Sequence, residues 1–379
     1  MAIAFSKPIS TTALLNAYNN NVVEFSSDNV LDSTKCTINL GGFDFVITPI
    51  NNLFRFNYKE LLRVLINTNN FTDDILPSLI LADETSHVYN DTVNTYLSEL
   101  VTYTITFSDT STEQTTNTYK FLKSIEQLEQ NKVGVVTGGN GIYILSPFLK
   151  ATANKYTITY FEGYPFDLSV YVETPGVVTV LNQTNALSHD FAFDNIINRF
   201  FLSDGRTTIT INDFVPLVDG LNELKLTIGA DVIYIDVWKV PSIEGQYVKW
   251  QNQYGGWNYW LFNCYHERAR KDKDLKTVSN DFNDVSDTTV PIYEMGKTSV
   301  DTLTLIADSV GENDQEVLNG ILDSPRVYLF TNTRLTQVTD VSWLGVKKKA
   351  TNTIITDYKS SLKNYKIKIE LPPRYTMTL

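Results

Sequence analysis

The chain carries only three histidines and two cysteines, so any imidazole or thiol chemistry must come from His87, His189, His266, Cys36 and Cys264. Ser188-His189-Asp190 sets a hydroxyl, an imidazole and a carboxylate side by side. Neighbours in an extended segment point to opposite faces, so adjacency does not make a triad, and no Gly-x-Ser-x-Gly elbow is present. Cys264-Tyr265-His266 places a thiol and an imidazole on one strand face. A catalytic pair needs them to converge, and a zinc site needs about four such ligands, more than this chain can gather. The run Asp281-Phe282-Asn283-Asp284-Val285-Ser286-Asp287 lacks the central glycine and closing glutamate of an EF-hand loop. Gly138-Gly139-Asn140-Gly141 lacks the Gly-Lys-Ser/Thr end of a phosphate loop and reads as a turn. A glycosidase pair would need two carboxyls about 5–5.5 Å apart, and nothing selects two from the 43 Asp and Glu. The expectation is therefore no enzyme, no catalytic residue, no metal and no cofactor.

The densest chemistry is aromatic. Tyr247, Trp250, Tyr254, Trp257, Tyr259, Trp260 and Phe262 crowd one short stretch around Gly255-Gly256, with Trp238 just upstream. Along Gly256–Phe262, alternation puts Trp257 and Tyr259 on one face and Trp260 and Phe262 on the other. Both faces must then be covered, by a core, another chain or a sugar. As a subunit interface, the stretch would offer Trp250, Tyr254, Trp257, Tyr259 and Trp260. The charged run Glu267–Lys276 reads as a solvated loop whose Arg268, Arg270 and Lys271 could meet an acidic neighbour. Lys347-Lys348-Lys349 has the same two readings.

These residues need elements to hold them, and the elements read as strands. The chain has 379 residues, 42% hydrophobic and 12% aromatic, which suits folded cores and pleated surfaces. Residues 1–20 read as an arm. From 21 to 150 the pattern predicts a β-domain with a short helix or two. Cys36–Leu40 and Phe43–Ile47 flank Gly41-Gly42 as a hairpin, Tyr58–Ile66 spaces its apolar residues as a helix, and Ser108–Thr118 reads as an exposed loop. Residues 151–240 carry six short strand candidates, at 156–160, 168–173, 177–181, 208–211, 224–228 and 232–240. Their spacing predicts an immunoglobulin-like sandwich. Residues 241–379 form an aromatic-rich β-domain with one helix, opened by a capping-box pattern at Asn313-Asp314-Gln315-Glu316. Lys366–Leu371 alternates as a half-buried strand. The fold class is mainly β: tandem antiparallel β-sandwich, immunoglobulin-like domains with a few short helices.

The formal net charge is -12, which repels phosphate backbones and anionic membranes. Neither a secretory signal nor a membrane-spanning run is apparent. Two distant cysteines make no disulfide framework, so folding in a reducing cytoplasm is expected.

Several phrases carry a resemblance. Asn21-Val22-Val23-Glu24-Phe25, Phe54-Arg55-Phe56-Asn57-Tyr58-Lys59-Glu60-Leu61-Leu62, Val248-Lys249-Trp250-Gln251-Asn252-Gln253-Tyr254-Gly255-Gly256-Trp257-Asn258-Tyr259-Trp260 and Ser324-Pro325-Arg326-Val327-Tyr328 resemble virion proteins of crAss-like short-tailed bacteriophages of Bacteroidota. The resemblance implies a tail structural protein of ring or hub type, folded in the host bacterial cytoplasm and residing in the virion. Its partners would be copies of itself in a cyclic oligomer and other tail proteins of the portal, ring, fibre or muzzle. It brings no catalytic residues. A carbohydrate-binding module or adhesin, on a phage fibre or bacterial surface, is the alternative; it requires exposed, coplanar tryptophans.

Overall fold

The computed structural model describes residues 2–127, 141–147, 155–205, 208–241, 244–263, 266–279, 292–331, 343–349 and 363–377. It is mainly β and forms two compact units. One comprises residues 1–242 with 251–258, the other residues 243–250 with 259–379.

The first unit opens with β1 (Ile3–Lys7), β2 (Leu14–Asn16), β3 (Val22–Ser27), β4 (Ser33–Leu40), β5 (Phe43–Ile47) and β6 (Phe54–Asn57). α1 (Lys59–Ile66), β7 (Val88–Asn90), α2 (Thr92–Thr95), β8 (Tyr96–Phe107) and β9 (Thr112–Leu122) follow. Five strands make one sheet in the order β2-β9-β8-β4-β5, and three make another, β1-β3-β6. Alternation decides what they bury. Cys36, Ile38 and Leu40 of β4 and Val101, Tyr103 and Ile105 of β8 point inward, while the threonines between them stay in partial contact with solvent. Val23, Phe25, Phe54 and Leu62 complete that core. A chain of hydroxyls threads it, Tyr58 to Tyr103 at 2.6 Å and Tyr103 to Tyr119 at 3.0 Å, which gives these three buried phenols partners. The hairpin at Gly41-Gly42 forms with φ of +58° and +81°, the left-handed pair that a two-residue turn requires.

Two expectations change in this region. Residues 1–20 are not an arm: β1 pairs with β3, and β2 runs parallel beside β9. The expected loop at Ser108–Thr118 is mostly strand, because its β-branched threonines pair across β8, Thr116 with Thr102 and Thr112 with Thr106. Polar composition concealed a strand whose outer face is wet.

The sandwich uses β10 (Ile142–Ile144), β11 (Lys155–Phe161), β12 (Phe166–Val172), β13 (Gly176–Asn182), β14 (Leu187–Phe193), β15 (Ile197–Ser203), β16 (Gly220–Ile228) and β17 (Asp231–Val240). Its sheets run β10-β12-β15-β7 and β11-β17-β16-β13-β14. β11 lies parallel to β17 and the remaining pairs are antiparallel. This is immunoglobulin-type order. The expected cut at 150 is not where the sheets divide, because β7 and β10 come from before it and close the first sheet on either side. The strand expected at 208–211 is instead a single 3₁₀ turn, Ile211–Asp213. β14 and β15 were not foreseen.

The second unit contains β18 (Gln246–Gln251), β19 (Trp257–Phe262), β20 (Glu267–Asp274), β21 (Thr277–Ser279), β22 (Ile292–Glu294) and β23 (Lys297–Val310). It continues with α3 (Glu312–Asp323), β24 (Val327–Phe330), β25 (Trp343–Lys348) and β26 (Lys363–Glu370). Seven strands form one sheet, β19-β18-β24-β25-β26-β23-β20. Ile367 and Ile369 are fully buried, and Tyr365 on the same face donates to Asn319 of α3 at 3.1 Å. The capping box is not formed: the N-cap is Gly311, which has no side chain to offer. The expected loop at Glu267–Lys276 is strand β20, held by eight register pairs with β23.

Phe25 stacks on Phe54 with centroids 5.4 Å apart and meets Tyr103 edge-on at 5.0 Å. Phe25→Ala is expected to cost about 3–5 kcal/mol in urea unfolding. Val30→Ala, at a side chain 97% exposed, should stay within about 0.5 kcal/mol. Equal effects would place Phe25 outside the core.

Candidate functional site

Residues 251–258 belong to the first unit and form a turn organised by one amide. Asn252 accepts from the backbone N–H of Tyr254 at 2.9 Å and of Gly256 at 3.0 Å, and donates to the Leu145 carbonyl at 2.7 Å and to Asn258 Oδ1. Gly256 sits so close to the chain that a Cβ there would lie 2.3 Å from the Leu145 carbonyl oxygen, which explains the glycine better than turn geometry alone. Tyr254 packs with Leu14, Leu122, Leu145, Tyr171 and Ile197. The Trp257 backbone N–H donates to Ser169 Oγ at 3.3 Å, and the Trp257 ring lies 5.6 Å from the Arg199 guanidinium carbon.

Arg199 is the centre of the most polar buried place in the first unit. It is 1% exposed. Its Nε and Nη2 grip both oxygens of Asp167, at 2.5 and 2.6 Å, and its Nη1 reaches Asp73 at 3.0 Å. This is the fork geometry that makes arginine–carboxylate pairs strong. Asp91 lies in the same field. Burial pushes its carboxyl up from 3.8 to about 6, against the pull of Arg199, with Asn94 as a hydrogen-bond donor. Lys123 is also buried: desolvation brings its amine down to about 8, and it sits 4.3 Å from the Phe71 ring centre and 2.8 Å from Asn69 Oδ1. Both carboxylates that pair with Arg199 are themselves 3% exposed or less, so this is a buried structural knot.

In the second unit, Tyr247 stacks on Tyr259 at 5.9 Å and meets Trp343 at 6.0 Å and Phe330 at 6.2 Å. The Lys249 ammonium lies 4.3 Å from the Trp343 ring centre, a desolvated cation–π contact. The interface expectation for the rings is therefore corrected. Trp250, Tyr254, Trp257, Tyr259 and Trp260 are between 0% and 8% exposed within a single chain. Their large apolar area is already covered, so they offer neither a partner surface nor a sugar platform.

The three basic candidates are outside. Arg268 donates to Asp301 Oδ2 at 2.6 Å, Arg270 to Oδ1 at 2.8 Å, and Arg374 to Oδ2 at 3.4 Å. Arg270 first and Arg268 next hold the Asp301 carboxyl well below the usual carboxylate range. Asp301 is buried beneath guanidinium groups that are themselves about half exposed. Register puts Lys271 on the other face of the strand, where it is exposed.

The remaining sequence candidates do not converge. Ser188, His189 and Asp190 alternate along β14: His189 packs on Phe191 and Phe214, and Asp190 accepts from Thr179 at 2.6 Å. His87 is fully buried. Burial holds it below its ordinary 6.5, and its Nδ1 meets the Phe201 carbonyl at 2.7 Å. Cys36 is a buried thiol raised to about 12 by desolvation. Cys264, Tyr265, residues 281–287 and Gly138–Asn140 lie outside the described residues. Among the described residues, no group of three or more His, Cys, Asp or Glu could hold a metal ion. Sequence reasoning missed Asp167, Arg199 and Asp91. The available signal was a lone charge inside an otherwise apolar strand, as in Phe166-Asp167-Leu168 and Asn198-Arg199-Phe200.

No family model and no curated protein matches the chain. Among solved structures, it is similar to the fibronectin(III)-like modules of Clostridium thermocellum CbhA, at 7% identity and a TM-score of 0.19, covering 64% of this chain and 95% of that one. It is also similar to a titin I9–I11 tandem, at 10% identity and 0.18, covering 63% and 66%. A structure of a 1.5-MDa bacterial ice-binding adhesin matches at 9% identity and 0.20, covering 79% and 91%. Scores this low carry no argument about function.

Arg199→Met removes one partner of a buried ion network and is expected to cost about 3–5 kcal/mol, read from chemical unfolding. Arg63→Met, at an exposed pair with Glu60, should cost under about 1 kcal/mol. Asp91 gives a pH signature. Its folded pKa is raised, so its contribution is present below about 3.8 and is lost as pH rises through about 6. Asp91→Asn cannot titrate. Its stability relative to wild type should therefore rise between pH 4 and 7, by about 3 kcal/mol. A flat difference across that range would place Asp91 in water.

Proposed function

We propose that this chain is a structural subunit of a bacteriophage virion tail, at a ring or hub position, and that it works by presenting sheet surfaces to neighbouring subunits. One observation carries the reading. Among the described residues β20 pairs with β23 alone, stands at the edge of its sheet, and is exposed at seven of its eight positions, so both faces are open to solvent. An ordinary edge strand keeps one face on a core. A long ribbon that keeps its register without that cover has the form of an assembly element. Buried rings and a buried ion network give rigid bodies to carry it, and cyclic rings repeat one such contact around an axis. The partners are copies of the chain and other tail proteins; the site of action is the virion, after folding in the host cytoplasm.

A second reading, glycan binding by an adhesin-like module, is favoured by Trp238 alone. That ring is 46% exposed and stands opposite Leu221 on the outer face of the sandwich.

Gold-labelled antibodies against the chain, applied to phage particles from cells that express its gene, should decorate the tail. Label confined to the bacterial surface, together with a glycan-array signal abolished by Trp238→Ala, would replace the first reading with the second.

A further inference from the structure

The net charge is not shared between the units. The first contains 14 basic and 26 acidic residues, a balance of -12; the second contains 17 of each, a balance of zero. Within the neutral unit the charge is sorted again by strand register. Thr304 faces Glu267 and Lys368, Thr302 faces Ala269 and Glu370, Val300 faces Lys271, Thr298 faces Lys273, Ile306 faces Lys366, and Glu370 faces Lys347. Cross-strand partners share a face, so among the register-paired residues Lys271, Lys273, Lys347, Lys366 and Lys368 lie on one side of the sheet, with Glu267 and Glu370 as the paired acids there. Glu370 is further neutralised by Lys349 at 2.8 Å. At the sheet edge, on the opposite face, three arginines about half in water share the carboxylate of Asp301, and Asp272 adds its charge beside Arg270. The first unit offers the complement. Asp28, Asp32, Asp44 and Asp109 are among its exposed acids.

We propose that the lysine-bearing face and open β20 edge of the second unit dock on the acidic first unit of a second copy of this chain. This deepens the reading of the chain as an assembly subunit and rests on it. The contact is heterologous, joining different surfaces of the two copies, which is the kind that closes into rings. Complementary potentials of this sort set encounter and register and weaken as salt screens them.

The test uses the full chain. Sedimentation velocity over a concentration series should show self-association, with the association constant falling about tenfold or more between about 50 and 500 mM NaCl. Lys271→Glu with Lys273→Glu, both at exposed positions, should abolish association while leaving the melting temperature unchanged. In a mixture of isotopically light and heavy chains, carbodiimide should form mixed-mass crosslinks joining second-unit lysines to first-unit carboxylates. A chain that is monomeric at every concentration, association that the double variant leaves intact, or crosslinks confined to single copies would overturn the proposal. A monomer in solution whose antibody label still falls on the tail would defeat this contact alone and leave the virion role standing.

Discussion

The buried guanidinium of Arg199 is the constraint around which the first unit is arranged. Taking such a charge out of water costs several kcal/mol even after relaxation, and only well-placed counter-charges offset that. Here the network joins three distant parts of the sequence. Asp73 follows α1, Asp167 sits in β12, and Arg199 in β15, with the Trp257 ring alongside. A one-residue slip of β15 against β12 would turn Arg199 to the opposite face and strand two carboxylates. The network therefore penalises wrong registers more than it adds net stability. It also accounts for Asp91: with Arg199 already shared by two acids, a third nearby carboxyl is the one that burial pushes towards its neutral form.

Elements whose composition and period agree were legible in the sequence. The Gly41-Gly42 hairpin, α1, β11, β13, β17 and β26 all show clean alternation or helical spacing bounded by turn residues. The misses share a cause. β15 is buried at all seven positions, so it has no wet face to generate a period, and its arginine reads as a surface residue until its partners are known. β9 and β20 fail in the opposite way, being so wet that composition reads as loop. Their strand character comes from long-range pairing that a local window does not see. The β7 contribution to the sandwich was equally hidden, because three residues from before β8 join β15 across more than a hundred positions.

The aromatic stretch shows how far residue type can lead. Its density correctly announced covered rings on both faces, yet density does not say what covers them. Gly256 and Asn252 decide it, because close approach of backbone to backbone at the turn is compatible only with residues packed inside one chain. Once those rings are interior, candidate contact surfaces must be sought among the charged strands that composition had set aside.

Aspartate and arginine meet twice in this chain with opposite consequences. At Arg199 there are more acids than bases and every partner is buried, so paired geometry balances the charge while burial raises the Asp91 carboxyl, and the result is rigidity. At Asp301 there are more bases than acids and ample water, so each guanidinium stays charged and keeps outward N–H groups that one carboxylate does not saturate. Side-chain entropy and hydration make such exposed excess tolerable for a lone subunit. They do not explain why five lysines share one sheet face of the neutral unit while the entire net negative charge lies in the other unit. Random placement of surface charge for solubility would mix the signs in both units. Sorting by unit and by face is what a repeated contact between unlike surfaces requires.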